Sequence, residues 1–290
     1  KVWENKKYPG HYVWDVISPN PGKWREGVKL MYHMVALNKS NGAARVRAMN
    51  QLGTLYASLL EDWPRAAYWW REAGKGTQGG MGQGGFRVGY EVGLAKCYWK
   101  LGNKEMATEV LARGKGSAAY LWAEMGEHDR ALQVAERAAK DWQGVGAYII
   151  CGDVCRHGGR YDDALAYYQK ITSQKDTKKH AHAIKNATER ITAMRAERSV
   201  DLAKVKNGSY KGKSPGYSGN VDVSVVVKDH RITTVKVTRH VEKQYYSSLT
   251  DIPNQIVRKQ SVGGIDATSG ATITAEAIVR ASAKALASKK

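Results

Sequence analysis

The amino-acid sequence predicts an all-α array of paired helices followed by a small two-layer α+β domain, within one chain of 290 residues. Three observations point there. A degenerate pattern of small and aromatic residues recurs four times between Leu52 and Ile171. After Lys206 the pattern gives way to turn residues and strictly alternating valines. A Gly/Ser/Thr-rich loop then leads into a last helix with an apolar stripe. The length suffices for two domains, each with its own core.

The recurring pattern is a small residue on a first helix, an aromatic or apolar residue about three later, a turn, and an alanine-spaced second helix. In the first unit Leu52-Gly53 leads to Tyr56, and Ala66, Trp70 and Ala73 follow. The second has Leu94-Ala95, Tyr98, Gly102, Ala107 and Leu111; the third Ala119, Trp122, Gly126, Ala131, Ala135 and Ala138. The fourth has Gly152, Cys155, Gly159, Ala164, Tyr168 and Ile171. Glycine or alanine where two helices cross lets their backbones approach, and the aromatics fill the space beside the crossing. These units resemble tetratricopeptide repeats, whose period is about 34 residues, and the resemblance implies a superhelix. The spacing is irregular: Ala66, Ala107, Ala131 and Ala164 are separated by 41, 24 and 33 residues, so Gly74–Gly89 is an insertion and the third unit is short.

A helix at about Trp24–Leu37 is expected to pair with one at about 43–60. Asp176 to about Lys204 is expected as a long polar helix with apolar positions at Ala183, Ala187, Ile191 and Met194, closing the array and leading onward. The expected boundaries are residues 1–174 for the array, 175–206 for the capping and linking helix, and 207–290 for the second domain.

In that second domain, Asn207-Gly208 and Ser214-Pro215-Gly216 are turn chemistry. Val221, Val223, Val225 and Val227 alternate, and Ile232, Val235 and Val237 follow after Lys228-Asp229-His230, which predicts a tight hairpin. A helix is expected near Asn254–Arg258, and a last one at about Ala275–Leu286 with Ile278, Ala281, Ala285 and Leu286 buried. Between them runs Asp266-Ala267-Thr268-Ser269-Gly270-Ala271-Thr272-Ile273-Thr274. The small residues at 269–271 allow a sharp turn and close approach of a bulky ligand. Thr272 stands just ahead of a helix whose free N–H groups favour an anion, such as a phosphate esterified to it. On the residues alone, the simpler account is that Ser269, Thr272 and Thr274 supply turn and N-cap hydroxyls.

Residues 207–290 resemble the FMN-binding domain found in the sodium-translocating NADH:quinone oxidoreductase, in the Rnf complex, and in many secreted flavoproteins. The matching pieces come in order: Gly208-Ser-Tyr210-Lys-Gly212 with Gly216-Tyr217-Ser-Gly219, the Val-rich hairpin, His240-Val-Glu242, Ile252-Pro253-Asn-Gln255-Ile256, Gln260-Ser261, and Asp266-x-x-Ser269-Gly270-Ala271-Thr272. In that family a flavin transferase moves FMN from FAD onto the final threonine through a phosphoester. The resemblance therefore implies FMN as cofactor, Thr272 as its attachment site, Asp266 as part of the recognition signature, and Ser269, Gly270 and Ala271 around the phosphate. Thr274 and Thr268 are the fallback acceptors, and His240 and Glu242 belong to the cofactor site. Two departures stand out. Asp229-His230 replaces the usual Asp-Gly, and Lys-Gln-Tyr-Tyr follows Glu242 where the family has a Pro/Gly-containing stretch; Tyr245 and Tyr246 either stack on the flavin ring or simply pack.

Composition narrows the partners. With 42% hydrophobic and 25% charged residues the chain has an ordinary globular balance, and no run reaches the roughly 18 apolar residues of a membrane span. Sixteen Tyr and nine Trp against one Phe suit half-buried, partner-facing surfaces. The net charge of +19 is spread over both regions, with 15 Lys and Arg against 6 Asp and Glu in residues 203–290. No zinc-finger spacing, basic zipper or stacking platform accompanies it, so nucleic acid is not the expected partner; an acidic redox partner, an anionic membrane surface or a solubility field with no specific partner are the other readings. Cys97, Cys151 and Cys155 are too few for a disulfide scaffold and match core positions of the units. Gly80-x-Gly82-x-x-Gly85 follows a helix rather than a strand, so it lacks the dinucleotide-site context. His180-Ala-His182 reads as a solvated helix face. No catalytic residue or metal ligand is assigned.

The expectation is an electron-transfer flavoprotein rather than a stand-alone enzyme. Its repeats would dock redox partner proteins or stack into a homo-oligomer, and a flavin transferase would act in its maturation. By analogy with the family it is periplasmic or extracellular, its leader removed before Lys1. The alternatives are a repeat-based scaffold with weak or no flavin binding, and a flavin-dependent reductase acting on a small acceptor.

Overall fold

In a computed structural model of the chain, the described residues are 9–75, 90–112, 118–141, 147–175, 178, 180–216, 219–242, 248–265 and 272–287. They bear out the predicted class, helices first and a small antiparallel sheet with two helices last. Contacts divide the chain into two compact units, Lys1–Gly114 with Lys243–Ser247, and Lys115–Glu242 with Ser248–Lys290.

The first unit opens with the single turn α1 (Pro9–Tyr12), a π-helical turn over Val13–Ile17 and a short 3-10 turn over Pro21–Lys23. Then come α2 (Trp24–Leu37), α3 (Gly42–Ser58), α4 (Trp63–Lys75), α5 (Tyr90–Lys100) and α6 (Lys104–Leu111), each packed on the next. As expected, α2 pairs with α3. Asn41 caps α3, its Oδ1 accepting from Ala44 N at 3.1 Å, and Asn103 caps α6 in the same way through Met106 N at 3.0 Å. Trp70 of α4 lies between two glycines. A Cβ at Gly53 of α3 would stand 2.6 Å from its ring nitrogen, and one at Gly93 of α5 would stand 2.7 Å from its ring. The indole occupies the volume a side chain would need on either neighbour.

The second unit continues with α7 (Ala119–Glu124), α8 (His128–Asp141), α9 (Tyr148–His157), α10 (Tyr161–Thr172) and α11 (Ala181–Ser199). The first turn of α7 and the loops before α9 and α11 border residues outside those described. The insertion expected at Gly74–Gly89, with its Gly80-x-Gly82-x-x-Gly85, lies outside the described residues from 76 onward.

The four helix pairs share one junction chemistry. The second helix starts with Ala66, Ala107, Ala131 or Ala164 donating its N–H to Asp62, Asn103, Glu127 or Arg160, and all four alanines are fully buried. At the end of the first helix, Gly102, Gly126 and Gly159 take φ of 82°, 84° and 74°. The next N–H then reaches back to Tyr98, Trp122 or Cys155, at 2.8, 2.9 and 2.8 Å. That is the Schellman closure, which needs a left-handed residue and so favours glycine. In the α3–α4 pair Glu61 takes the left-handed place with φ 52°, and Asp62 N reaches Tyr56 O at 2.9 Å, one residue wider.

α11 stops at Ser199, earlier than the sequence suggests. Val200 is extended, Asp201 Oδ1 accepts from Ala203 N, and a 3-10 turn covers Leu202–Lys204. Nor does α11 only close the array and lead onward. It packs on α9, α10 and the last helix, and buries Arg190 and Glu197 beside Ala187, Ala193 and Met194.

β1 (Gly208–Pro215), β2 (Asn220–Lys228) and β3 (Arg231–Arg239) form an antiparallel sheet in the order β1-β2-β3. Tyr210 faces Val225, and Val225 faces Val235, so the alternating valines line one face. Asp229 and His230 both have positive φ, 52° and 58°, the two-residue turn that matches strand twist. Asn207 braces it: its Oδ1 accepts from Asp229 N at 2.8 Å.

α12 (Ser248–Lys259) begins six residues before the helix expected at Asn254, because it continues through Pro253. Periodicity around a proline reads as a helix start, and here a turn precedes it. Gln260, at φ 52°, then mimics a strand: its Oε1 accepts from Ile232 N and its Nε2 donates to Ile232 O, both at 2.9 Å. α13 (Thr272–Ala287) lies across β1 and β2 on one side and α11 on another. Its close approach to the sheet requires Gly212, where a Cβ would lie 2.9 Å from Ala285 N and closer still to Ala281 O.

Candidate functional site

The site lies where β1 ends, β3 ends and α13 begins. After Pro215 the chain turns back, and Gly216 N–H donates to Gly219 O at 2.6 Å. Gly216 is glycine because Glu242, arriving after β3, takes its side-chain volume; a Cβ there would stand 2.5 Å from Glu242 Oε1. Gly219 gives way in the same manner to Val241. Glu242 is buried, and its Oε2 accepts from Thr274 Oγ1 at 2.6 Å. This bond ties the end of the sheet to the first turn of α13. The sequence neighbours of that pair, Val241 and Ile273, are 51% and 44% exposed, large apolar side chains left on the surface.

Among the residues singled out from sequence, Glu242 and Thr274 are therefore brought together, and His240 is half-buried just before them. Thr272 is the first residue of α13, its side chain outside what is described. Asp266, Thr268, Ser269, Gly270 and Ala271 lie outside the described residues, as do Tyr245 and Tyr246. The three cysteines are free and buried; burial pushes the thiols of Cys97 and Cys151 up to about 12 and that of Cys155 to about 11, which suits core packing over redox chemistry.

Behind the first turn of α13 lies a group of buried charges that sequence reasoning missed. Asp153 of α9 accepts four hydrogen bonds: from Arg190 Nε and Tyr168 Oη at 2.7 Å on Oδ1, and from Arg190 Nη2 at 3.1 Å and Tyr120 Oη at 3.0 Å on Oδ2. Burial alone would raise its pKa, but the Arg190 guanidinium, with Arg156 and the Tyr168 hydroxyl, outweighs it and the carboxyl stays below its ordinary value. Arg156, one turn further along α9, donates through Nη2 to Glu276 of α13 and faces Glu197 of α11 across 3.7 Å. Burial lifts Glu197 to about 7, against the pull of Arg156. Arg280 donates to Ser214 Oγ at 3.1 Å and Pro215 O at 2.8 Å, tying α13 to the end of β1; burial, with Arg190 adding, brings its pKa down to about 10. One signal in the sequence points this way: Asp153, Arg156 and Arg280 are charges set inside otherwise apolar helical stretches.

Comparison with known proteins fits this geometry. Residues 216–287, from the Gly216 turn through α13, match the FMN-binding domain family. This region is an FMN-binding domain. Over 107 residues the chain is also 35% identical to an uncharacterized protein of Treponema pallidum (strain Nichols), a stretch that makes up 36% of this chain and 29% of that protein. The chain thus spans less than a third of the length of this relative.

Proposed function

We propose that the chain is an electron carrier that holds FMN covalently through a phosphoester to Thr272. The observation that carries this is the place of Thr272: the last residue of the Asp266-x-x-Ser-Gly-Ala-Thr motif and the first of α13, inside an FMN-binding domain. The hydroxyl oxygen of Thr272 would attack the phosphorus on the riboflavin side of FAD; the pyrophosphate bond breaks, AMP leaves, and the hydroxyl proton goes to solvent. FMN bound there supplies a two-electron couple that can be drained in single steps.

The residues present fit the group. The first turn of a 16-residue helix presents N–H groups with no partner inside the helix, which suits a phosphoester anion. Val241 and Ile273 offer exposed apolar surface beside that turn for a ring system. Thr274 is the weaker acceptor, since its hydroxyl is committed to Glu242. Glu242 holds the end of the sheet against the attachment turn through Thr274, and His240 is half-buried just before it.

In this proposal the tetratricopeptide-like helices dock the redox partner, and a tether matters because the protein works outside the cytoplasm, where lost FMN is not replaced. The test is the intact mass and denaturing-gel fluorescence of protein made in a host with a flavin transferase, with peptide mapping across 259–280 and Thr272→Ala as control. An FMN-sized adduct on Thr272, absent from the variant, is expected. An unmodified peptide from that host overturns the proposal.

A further inference from the structure

Arg156 belongs to the helix pairs, yet its guanidinium ends against the FMN-binding domain, 120 residues away in sequence. It is buried, and a buried guanidinium is tolerated only where anions receive it. One carboxylate does so directly, Glu276, which accepts from Nη2; the carboxyl of Glu197 lies 3.7 Å from Nη1. Position 276 follows position 272 by four residues on α13, one turn on and on the same side of the helix. A carboxylate there, if unpaired, would set a buried negative charge one turn from the residue that receives a phosphoester. The cation that balances Glu276 comes from α9.

We propose that Arg156 is a positioning residue for FMN attachment: by pairing with Glu276 it fixes the first turn of α13 and neutralises the carboxylate that would otherwise face the phosphoester on Thr272. This rests on Thr272 being the attachment site. It gives the neighbouring helices a task beyond partner docking, since a residue outside the matched domain completes the support of its modified helix. Lys284 provides the contrast. Its Nζ binds Glu189 Oε2 at 2.7 Å, joining α13 to the same helix α11, but twelve residues further along α13, about 18 Å from its start.

The experiment follows attachment in vitro, with purified apoprotein, FAD and a flavin transferase, read as covalent fluorescence on denaturing gels. Arg156→Met is expected to slow attachment at least tenfold while circular dichroism stays that of the wild type, and Arg156→Met with Glu276→Gln is expected to recover part of the rate by removing the unpaired charge. Lys284→Met is expected to remain within twofold of the wild type. A wild-type rate in Arg156→Met, or an equal loss in Lys284→Met, overturns the proposal. Should Arg156→Met not fold, Glu276→Leu tests the clamp alone, since it removes both the pairing and the carboxylate: slower attachment than in the wild type is expected, and a wild-type rate overturns the clamp. Amide hydrogen exchange across 276–280, the first amides of α13 bonded within the helix, supplies the readout independent of FMN. Faster exchange there in Arg156→Met but not in Lys284→Met supports the clamp even if the wild type takes no flavin, whereas failure of the wild type to take FMN counts against Thr272 alone; unchanged exchange counts against Arg156.

Discussion

In the helix pairs, glycine at a crossing makes room for an aromatic ring; at Gly212 of β1, where α13 crosses the sheet, it makes room for a backbone. Gly53 and Gly152 lie under Trp70 and Tyr168, side chains of the partner helix. Gly212 lies under Ala281 and Ala285 of α13, where the nearest atoms are a carbonyl oxygen and an amide nitrogen. A ring can tilt by changing rotamer, at some cost, but a helix backbone gives way only by moving as a whole. The two regions thus use one residue type for close packing with different tolerances. The helix pairs can drift in spacing and sequence, whereas the seat of α13 cannot.

The largest effect is therefore expected at Gly212. Gly212→Ala should destabilise the second unit by about 3 kcal/mol or more, the upper end of overpacking costs, because the added methyl meets backbone. Chemical unfolding followed by circular dichroism measures it, and a cost under about 1 kcal/mol would remove the contrast between the regions. Next comes Glu197, which joins them. Its carboxyl is held at about 7 rather than 4.5 by burial, so the folded chain favours its protonated form. The stabilisation this gives is complete below pH 4.5 and is lost as pH rises through 7. Glu197→Gln mimics the protonated form at every pH. The variant should match the wild type near pH 4.5 and exceed it by up to about 3 kcal/mol at about pH 8, the full value of the shift. A difference that does not change with pH would mean that Glu197 stays ionised against Arg156. Third is Gly152→Ala, where the methyl would stand 2.7 Å from Tyr168 Cδ1 and closer to Cε1. Tyr168 is pinned by its bond to Asp153, so a cost of about 2 kcal/mol is expected, less than at Gly212. An equal cost at both glycines would show that a pinned ring yields no more readily than a helix.

What is legible in the sequence follows the range of the interactions. The four units can be read because their markers are local: Ala66, Ala107, Ala131 and Ala164 sit four residues beyond the residues that accept their N–H groups, and glycine marks three of the turns. The hairpin can be read because valine alternation and a two-residue turn are also local. The start of α12 is hidden because Pro253 imitates a helix N-terminus within a helix. The pairing of Glu242 with Thr274 follows the motif order but not any spacing rule, the two standing 32 positions apart. Arg156 with Glu276 and Asp153 with Arg190 are beyond sequence reasoning, since each partner is chosen by the packing of α9, α11 and α13. A polar helix such as α11 gives no sign of which of its charges will be buried.

The smallest effect tests the turns that the helix pairs have in common. Glu61 holds the left-handed place that Gly102, Gly126 and Gly159 fill elsewhere, with φ of 52° against 82°, 84° and 74°. It is exposed, so its replacement removes no packing. A residue with a Cβ loses about 1 kcal/mol or more by sitting there, and glycine offsets part of its own advantage through greater freedom when unfolded. Glu61→Gly should therefore stabilise the first unit by about 0.5 kcal/mol, read as a raised thermal midpoint, while Gly102→Ala should lower it by about 1 kcal/mol. Opposite signs at equivalent turns would establish that the units share one closure. A loss at Glu61→Gly would mean instead that the wider bond from Asp62 to Tyr56 makes the first turn a different structure, in which the glutamate backbone is not strained.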